Sequence, residues 1–472
     1  MAISKNSLHP VGSVQGGSFP HQLSPIDHLS PRIHVPKLLY MATDAAPEAI
    51  IANLRDALSK SIAAFPILAG SVGLLKGAPQ EGTLAVQAPF ITAEQILSVQ
   101  DLRAQYAYDE IRAGDFRPDA VDGELVTPDL ASNPSRVFLA QANLIRGGLI
   151  LVCAVHHCVV DETGIFNIMK LWSTYCRGGD GASIVKPEWV DRSPLREGRG
   201  TGRLQDHLEY TLRPKEKSAT LLQANNEYIS KSSETTGSAV IFFPDESLVR
   251  LKQAASKDLD DKSETASWIS TNDAICALIW SRVTQARHTV GTDATYTMFN
   301  MTVNGRSRMS PPMSAEYTGN VVFVSKAAQP IDALLATSSL ADTAQVIRTS
   351  VLEVDDAAIR DKIQAVTSID DIGRLAPGGY SSYQRNVGCS SWSAQPYYAL
   401  DWGTVLGGAC RRLRWRNNIS DGIFVIFPRI PAAEDGALGE SGVEIYLGLR
   451  NEALACLRQD SFLNEYVRWR CC

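Results

Sequence analysis

Apolar residues recur along this chain with two periods, and the switches between them lay out its elements. From 45 to 65 (AAPEAIIANLRDALSKSIAAF), Ile50, Leu54, Leu58 and Ile62 stand four apart behind Pro47. That spacing predicts an amphipathic helix whose first turn loses nothing through the missing proline N–H. VFLAQANLI (137–145) and LILVCAVHH (149–157) flank Arg146-Gly147-Gly148. The glycines permit the positive φ of a tight turn, so the segment predicts a hairpin. Its second arm is apolar at nearly every position, as a strand covered on both faces and deep in a sheet should be. After Gly164 the spacing changes to Ile165, Ile168, Met169, Trp172 and Cys176, a helical stripe that packs back on that sheet.

Residues 186 to 225 mix charge, Gly and Pro without sustained periodicity and read as a crossover linker. Beyond it, SAVIFFP (238–244) predicts a strand, followed by a helix with Leu248 and Leu251. Ser270-Thr271 offers a hydroxyl cap to a helix running to about Arg287. TYTMFNMTVNGRSR, NVVFVSKAA, DGIFVIFPRI and VEIYLGLR predict further strands, and RNEALACLRQDSFLNEYV a terminal helix. Strands and helices in both halves imply two α/β domains, 1–185 and 226–472, joined by the linker 186–225.

Composition narrows the function classes. The 472 residues are 44% hydrophobic, enough for a full core, and 45 Lys+Arg against 51 Asp+Glu leave a net charge of −6 without long blocks of one sign. A nucleic-acid partner is not expected. Nine cysteines, an odd number without CxxC spacing, read as reduced intracellular thiols. The N-terminal MAISKNSLHPVGSVQGG lacks the apolar core of a signal peptide, and no window reaches membrane-spanning length, so a soluble cytoplasmic protein is expected. Cys471-Cys472 has no flanking polybasic run and reads as a frayed tail rather than a lipid-attachment signal.

Against this background the stretch LILVCAVHHCVVDETG stands out, because two of the eight histidines end a buried strand four residues before an aspartate. A metal site could use His157 and Asp161, but no third ligand has a telling spacing, and no metal is expected. A nucleophilic triad lacks a G-x-S-x-G serine, and Cys158 diverges from His157 on an extended backbone. General-base catalysis needs one neutral imidazole at a pocket edge and fits with the fewest assumptions. Two hydrogen-bonded core histidines account for the residues equally well.

HHCVVDETG resembles the HHxxxDxxG signature of the BAHD acyl-CoA-dependent acyltransferases, with His157 and Asp161 at its principal positions. Condensation domains of peptide synthetases have a similar signature. YYALDWGTVLGG resembles the family's DFGWG region, with Asp401, Trp402 and Gly403 aligned, although tryptophan replaces the phenylalanine and the second tryptophan is missing. SPIDHLSPR, FPILAGSV, STNDAICALIWSR, NGRSRMSPPMSAEYTGNVV, SSWSAQPYYALDWG and VEIYLGLRNEALACL follow the family's order over almost the whole chain. SPIDHLSPRIHV looks most like the fungal branch that decorates secondary metabolites.

The resemblance implies two similar chloramphenicol-acetyltransferase-like domains with a channel between them, the chain around 385–402 returning to the first domain's sheet. It implies a monomeric O-acyltransferase using acyl-CoA, acetyl-CoA first among the candidates, as co-substrate with no tightly bound cofactor. His157 would be the general base, without an acyl-enzyme, and Asp161 would turn away to pair with a basic residue and fix the loop. His156 would be structural, since adjacent side chains diverge. Ser390 and Trp392 match positions that could support the oxyanion, though a capped loop with a core indole explains them equally. Ser270 and Thr271 match a stretch near the pantetheine channel, which a helix cap also explains. Asp401 and Arg306 resemble a remote structural ion pair. N-acylation, a condensation-like ring closure and a non-catalytic ligand-binding paralogue remain alternatives.

Overall fold

The computed structural model describes residues 19–133, 135–214, 236–256, 268–291, 294–336, 340–377, 385–416, 419–432 and 439–471. The expectations for the N-terminal segment before residue 19, for 215–225 of the linker and for Cys472 lie outside these residues.

Two large sheets organise the chain. The first has five strands in the order Arg412–Trp415, His34–Ala42, Gly148–His156, Phe138–Ile145 and Leu97–Asp101. At its centre, Phe138–Ile145 and Gly148–His156 form the expected antiparallel hairpin, closed by Gly147 at φ +68°. Every residue of Gly148–His156 is buried, because both faces of the sheet are covered. Leu149, Leu151, Cys153 and Val155 face the core formed with helices Pro47–Ala64 and Glu162–Cys176, whereas Ile150 and Val152 face a second cluster with Tyr108 and Phe116. The second sheet has seven strands in the order Val322–Pro330, Tyr296–Asn304, Val387–Ser391, Ile423–Ile426, Gly442–Arg450, Thr236–Pro244 and Arg468–Cys471. Helix Thr271–Thr289 lies in that sheet's core, with Ser270 and Asp273 bonding reciprocally as a capping box.

The return of the chain to the first sheet differs from the expectation. Val387–Ser391 runs parallel between Tyr296–Asn304 and Ile423–Ile426 in the second sheet, where Val387 and Cys389 join the second core. Only after Ser391 do Trp392, Tyr397, Tyr398, Leu400 and Trp402 enter the first core. Arg412–Trp415 then pairs antiparallel with His34–Ala42, Leu413 opposite Leu39. The apolar cluster after the strand, not the strand itself, crosses between the halves.

The C-terminal helix is also interrupted. Asn451–Arg458 ends before Asp460, whose carboxylate caps a new helix, Ser461–Asn464, through Leu463 N at 2.7 Å. Strand Arg468–Cys471 follows on the edge of Thr236–Pro244, so the tail is paired through Cys471 rather than frayed. The linker is strapped down as well. Tyr210–Leu212 pairs with Leu375–Pro377, and buried Glu209 takes Lys362 at 2.5 Å and also Lys326.

Candidate active site

The central strand leaves the sheet at its two histidines. His156 N donates to Val137 O (2.9 Å) and His157 N to Ile33 O (2.8 Å), so the backbone stays tethered through both. Successive side chains then diverge. His156 is fully buried, with Nδ1 3.1 Å from Cys158 Sγ and its ring edge-on to His34. His157 is half-buried; its Nδ1 is enclosed without a hydrogen bond of good geometry, and its carbonyl accepts from Asn320 Nδ2 at 3.0 Å. Burial pushes the His157 pKa below the ordinary imidazole value, and the Lys37 charge adds to this. Its own carbonyl, Asp161 and Asn320 oppose the shift without reversing it. The imidazole is therefore neutral at neutral pH, the form a general base requires.

Asp161 cannot share that role, because its carboxylate is buried and fully engaged. It caps helix Glu162–Cys176 through Gly164 N at 3.2 Å, accepts Val321 N at 3.1 Å, and takes both terminal nitrogens of Arg306 at 2.8 Å. Arg306 also donates to the carbonyls of Tyr317 and Gly319. Both charges are thus paired and hydrogen-bonded, which makes them tolerable in the interior. The glycine three residues on has a steric reason: a Cβ on Gly164 would lie 2.0 Å from Thr318 O.

The expected pair between Asp401 and Arg306 is not formed. Arg306 is buried beside Asp161, where it needs a buried counter-charge, whereas Asp401 is exposed and accepts from Gly403 N at 2.8 Å. Asp401 and Gly403 instead line a surface hollow of about 570 Å³ with Cys176, Arg177, Thr404 and Gly408. His157 does not line it.

Three residues of the turn's support were not readable as such. Buried Asp27 accepts from Asn320 N (3.0 Å) and Nδ2 (2.9 Å), and forms an ion pair with Arg192 at 2.8 Å. Burial alone would raise the Asp27 pKa, but Arg192 and Asn320 outweigh it and hold the carboxyl below its usual range. Arg192 in turn donates to Val159 O at 3.0 Å. The HHCVVD turn is thereby held by the stretch SPIDHLSPR, the linker and the second half together. That N-terminal stretch was visible as a motif, but nothing local marks which residue its aspartate meets.

The other predicted positions gather around a second junction. Ser390, half-buried, pairs with Val425 in the second sheet. Trp392 is buried, stacked on Trp415 (5.2 Å between centroids), with Lys37 Nζ 2.9 Å above its ring. Ser270's hydroxyl is committed to Asp273, accepting its N–H at 3.1 Å and donating to its carboxylate at 2.7 Å. Thr271 opens that helix, and Asn272 next to it donates to the hydroxyls of Ser391 (3.1 Å) and Ser393 (3.3 Å). Ser270–Asn272 and Ser390–Ser393 are therefore joined across 119 residues of chain. Among the described residues, no group of three His, Cys, Asp or Glu could hold a metal ion.

The family model described as the Transferase family matches residues 2–463. The chain belongs to the Transferase family. It is an acyltransferase. Within the family it is similar to acyltransferase BOA11 of Botryotinia fuckeliana, 26% identical over an alignment of 474 positions, gaps included, that covers 94% of this chain and 97% of the relative. O-acyltransferase pigD of Monascus ruber is 26% identical, covering 91% and 93%. Putrescine hydroxycinnamoyltransferase 1 of Oryza sativa is 25% identical, covering 94% of each chain. In fold, this transferase is similar to Fusarium sporotrichioides TRI101, solved with coenzyme A and T-2, at a TM-score of 0.78 and 23% identity over 96% of this chain and all of that one. The two-domain α/β architecture is that of these transferases.

Proposed function

We propose that the protein transfers an acyl group, acetyl first among the candidates, from its CoA thioester to a hydroxyl of a secondary metabolite, with His157 as general base. The observation that carries this reading is a half-buried imidazole, neutral by burial, whose backbone is locked at both its N–H and its carbonyl. The acceptor's oxygen attacks the thioester carbonyl as its proton passes to His157. Collapse of the tetrahedral intermediate breaks the C–S bond, and the same proton goes to the CoA thiolate, so no acyl-enzyme forms. The Ser390 hydroxyl and Trp392 are the proposed support for the oxyanion, whose stabilisation demands preorganised donors. Asp161 acts only by holding the turn. CoA is proposed to pass Thr271 and the helix start that Ser270 caps. Relatives named for O-acyl transfer support the hydroxyl acceptor, and a cytoplasmic monomer is the accompanying expectation.

Amine acylation is the second reading, favoured by the relative named for putrescine. Acyl transfer from a panel of CoA thioesters to a library of hydroxylated metabolites and amines, read by mass spectrometry, separates the two. For a hydroxyl acceptor, His157→Ala lowers the rate roughly 10²–10⁴-fold, the usual worth of a general base. A variant that keeps most of its rate points to an amine, which needs less activation. Binding of CoA and alcohol without turnover would point to a ligand-binding protein.

A further inference from the structure

Trp268 lies two residues ahead of the Ser270 cap, and it is 57% exposed. Its neighbour Ile269 is buried in the second core, which fixes the backbone beneath the indole. Arg348, from helix Leu340–Leu352, stands over the ring with its guanidinium carbon 4.1 Å from the centroid. That arginine is itself anchored. Its side chain is nine-tenths buried, a terminal nitrogen pairs with the Asp273 carboxylate, and its Nε is enclosed without a hydrogen-bond partner among the described residues.

This arrangement does little for the fold itself. A tryptophan stabilises a protein by burying its large apolar surface, and this one leaves more than half of it in water. A buried donor without an acceptor is unfavourable as well, so the guanidinium is held at the indole and not at a carbonyl. What results is a rigid aromatic surface facing solvent, which loses little side-chain freedom when a flat ring stacks on it.

Position and charge indicate which ring. Asn272, bonded to Ser391 and Ser393, and Thr271 and Ser270 are half-buried, whereas Trp268 is exposed, so the segment runs from the Ser390–Trp392 junction to the surface. Trp268 lies at most about 7 Å of extended chain beyond Ser270. A CoA arm passing Thr271 with its thioester inward therefore carries its adenosine end towards Trp268. The start of the 19-residue helix Thr271–Thr289 favours phosphate groups. Asp273, in its first turn, would oppose them, and Arg348 offsets that charge.

On the acyl-transfer reading, we propose that Trp268, backed by Arg348, is the platform on which the adenine of CoA stacks. Stacking needs only a π-face on each partner. The contact is remote from the thioester, so it contributes to donor binding and not to the transfer step.

The test is calorimetry of free CoA with wild type, Trp268→Ala and Trp268→Phe, alongside phosphopantetheine, which lacks the adenosine end, measured by competition. Trp268→Ala is expected to weaken CoA roughly 5- to 30-fold, as loss of one base–aromatic stack should, and to leave phosphopantetheine unchanged. Trp268→Phe, which keeps a ring, stays close to wild type. Trp268→Gln takes the place of the alanine variant should that one not fold. A folded variant without the ring that binds CoA as wild type does, or that loses affinity for both ligands alike, overturns the proposal. A wild type that binds no CoA overturns the functional reading together with it, whereas one that binds CoA but acylates no acceptor leaves the stacking result standing.

Discussion

Two turns of this transferase have comparable weight as motifs, HHCVVDETG at 156–164 and DWGTVLGG at 401–408, yet they are built from different materials. The first is held from a distance: Arg306, Asn320, Val321 and Arg192 all reach it from other parts of the chain. The second is held mostly from within. Asp401 bonds Gly403 N, and Trp402 N donates to Gly408 O at 3.1 Å. Its glycines are steric, not chemical. Gly403 sits at φ +83°, where a Cβ would lie 2.9 Å from Arg177 Cα, and Gly407 sits at φ +81° against Ala42 O. A recurrent motif can therefore mark a charge that must be buried or merely a backbone that must pass close to another.

The comparison breaks first at Arg306. Arg306→Ala leaves Asp161 charged and buried without its partner, and is expected to cost about 3–5 kcal/mol of stability and to remove acyl transfer. A urea midpoint close to that of wild type would show that the turn does not depend on Arg306. Gly164→Ala comes next, at about 1–3 kcal/mol, because its methyl group must displace the Thr318 backbone. Thermal unfolding of that variant, set against Arg306→Ala, separates shape from charge in the same turn.

Acid should act on the first region more than on the second. Burial holds His21 at about 3 and His28 and His34 at about 4, and His157 also below its ordinary value of 6.5. The unfolded chain takes up these protons below about pH 6.5 and the folded chain does not, so the unfolded state gains as pH falls. Stability is expected to be flat in this respect above pH 6.5 and to decline between pH 6.5 and 4, as read from urea midpoints at several pH values. The plateau of kcat/KM should extend below pH 6.5 for the same reason. The smallest effect is expected at Asp401. Its carboxylate is exposed and bonds one neighbouring N–H, so Asp401→Ala should leave the melting temperature within about 2 °C of wild type. A large loss of folded protein would restore it to a structural role.

Much of the first turn was legible before any fold was known. An unbroken apolar run, a Gly-Gly hairpin and a change to helical spacing after Gly164 placed the histidine pair at a strand end ahead of a helix, and the structure adds that Asp161 caps that helix. The partners were not legible. Asp161 and Arg306 are 145 residues apart, and Asp27 and Asn320 are 293 apart. The resemblance assigned Arg306 to Asp401 and left the basic partner of Asp161 unnamed, whereas burial put Arg306 on Asp161. Lys37 is a single lysine in HVPKLLYMA, and nothing near it in sequence shows that Glu162, 2.8 Å from its Nζ, and Trp392 would enclose it.

What the chain determined by itself was local: periodicity, the glycines of the hairpin turn, the Ser270 cap, and the diverging directions of two adjacent histidines. The tertiary structure decided which sheet received Val387–Ser391, which arginine met which carboxylate, and how the His157 pKa was lowered. Local order follows from backbone and side-chain sterics over one or two turns. Charge pairing and proton affinity depend instead on burial, which only the assembled halves impose.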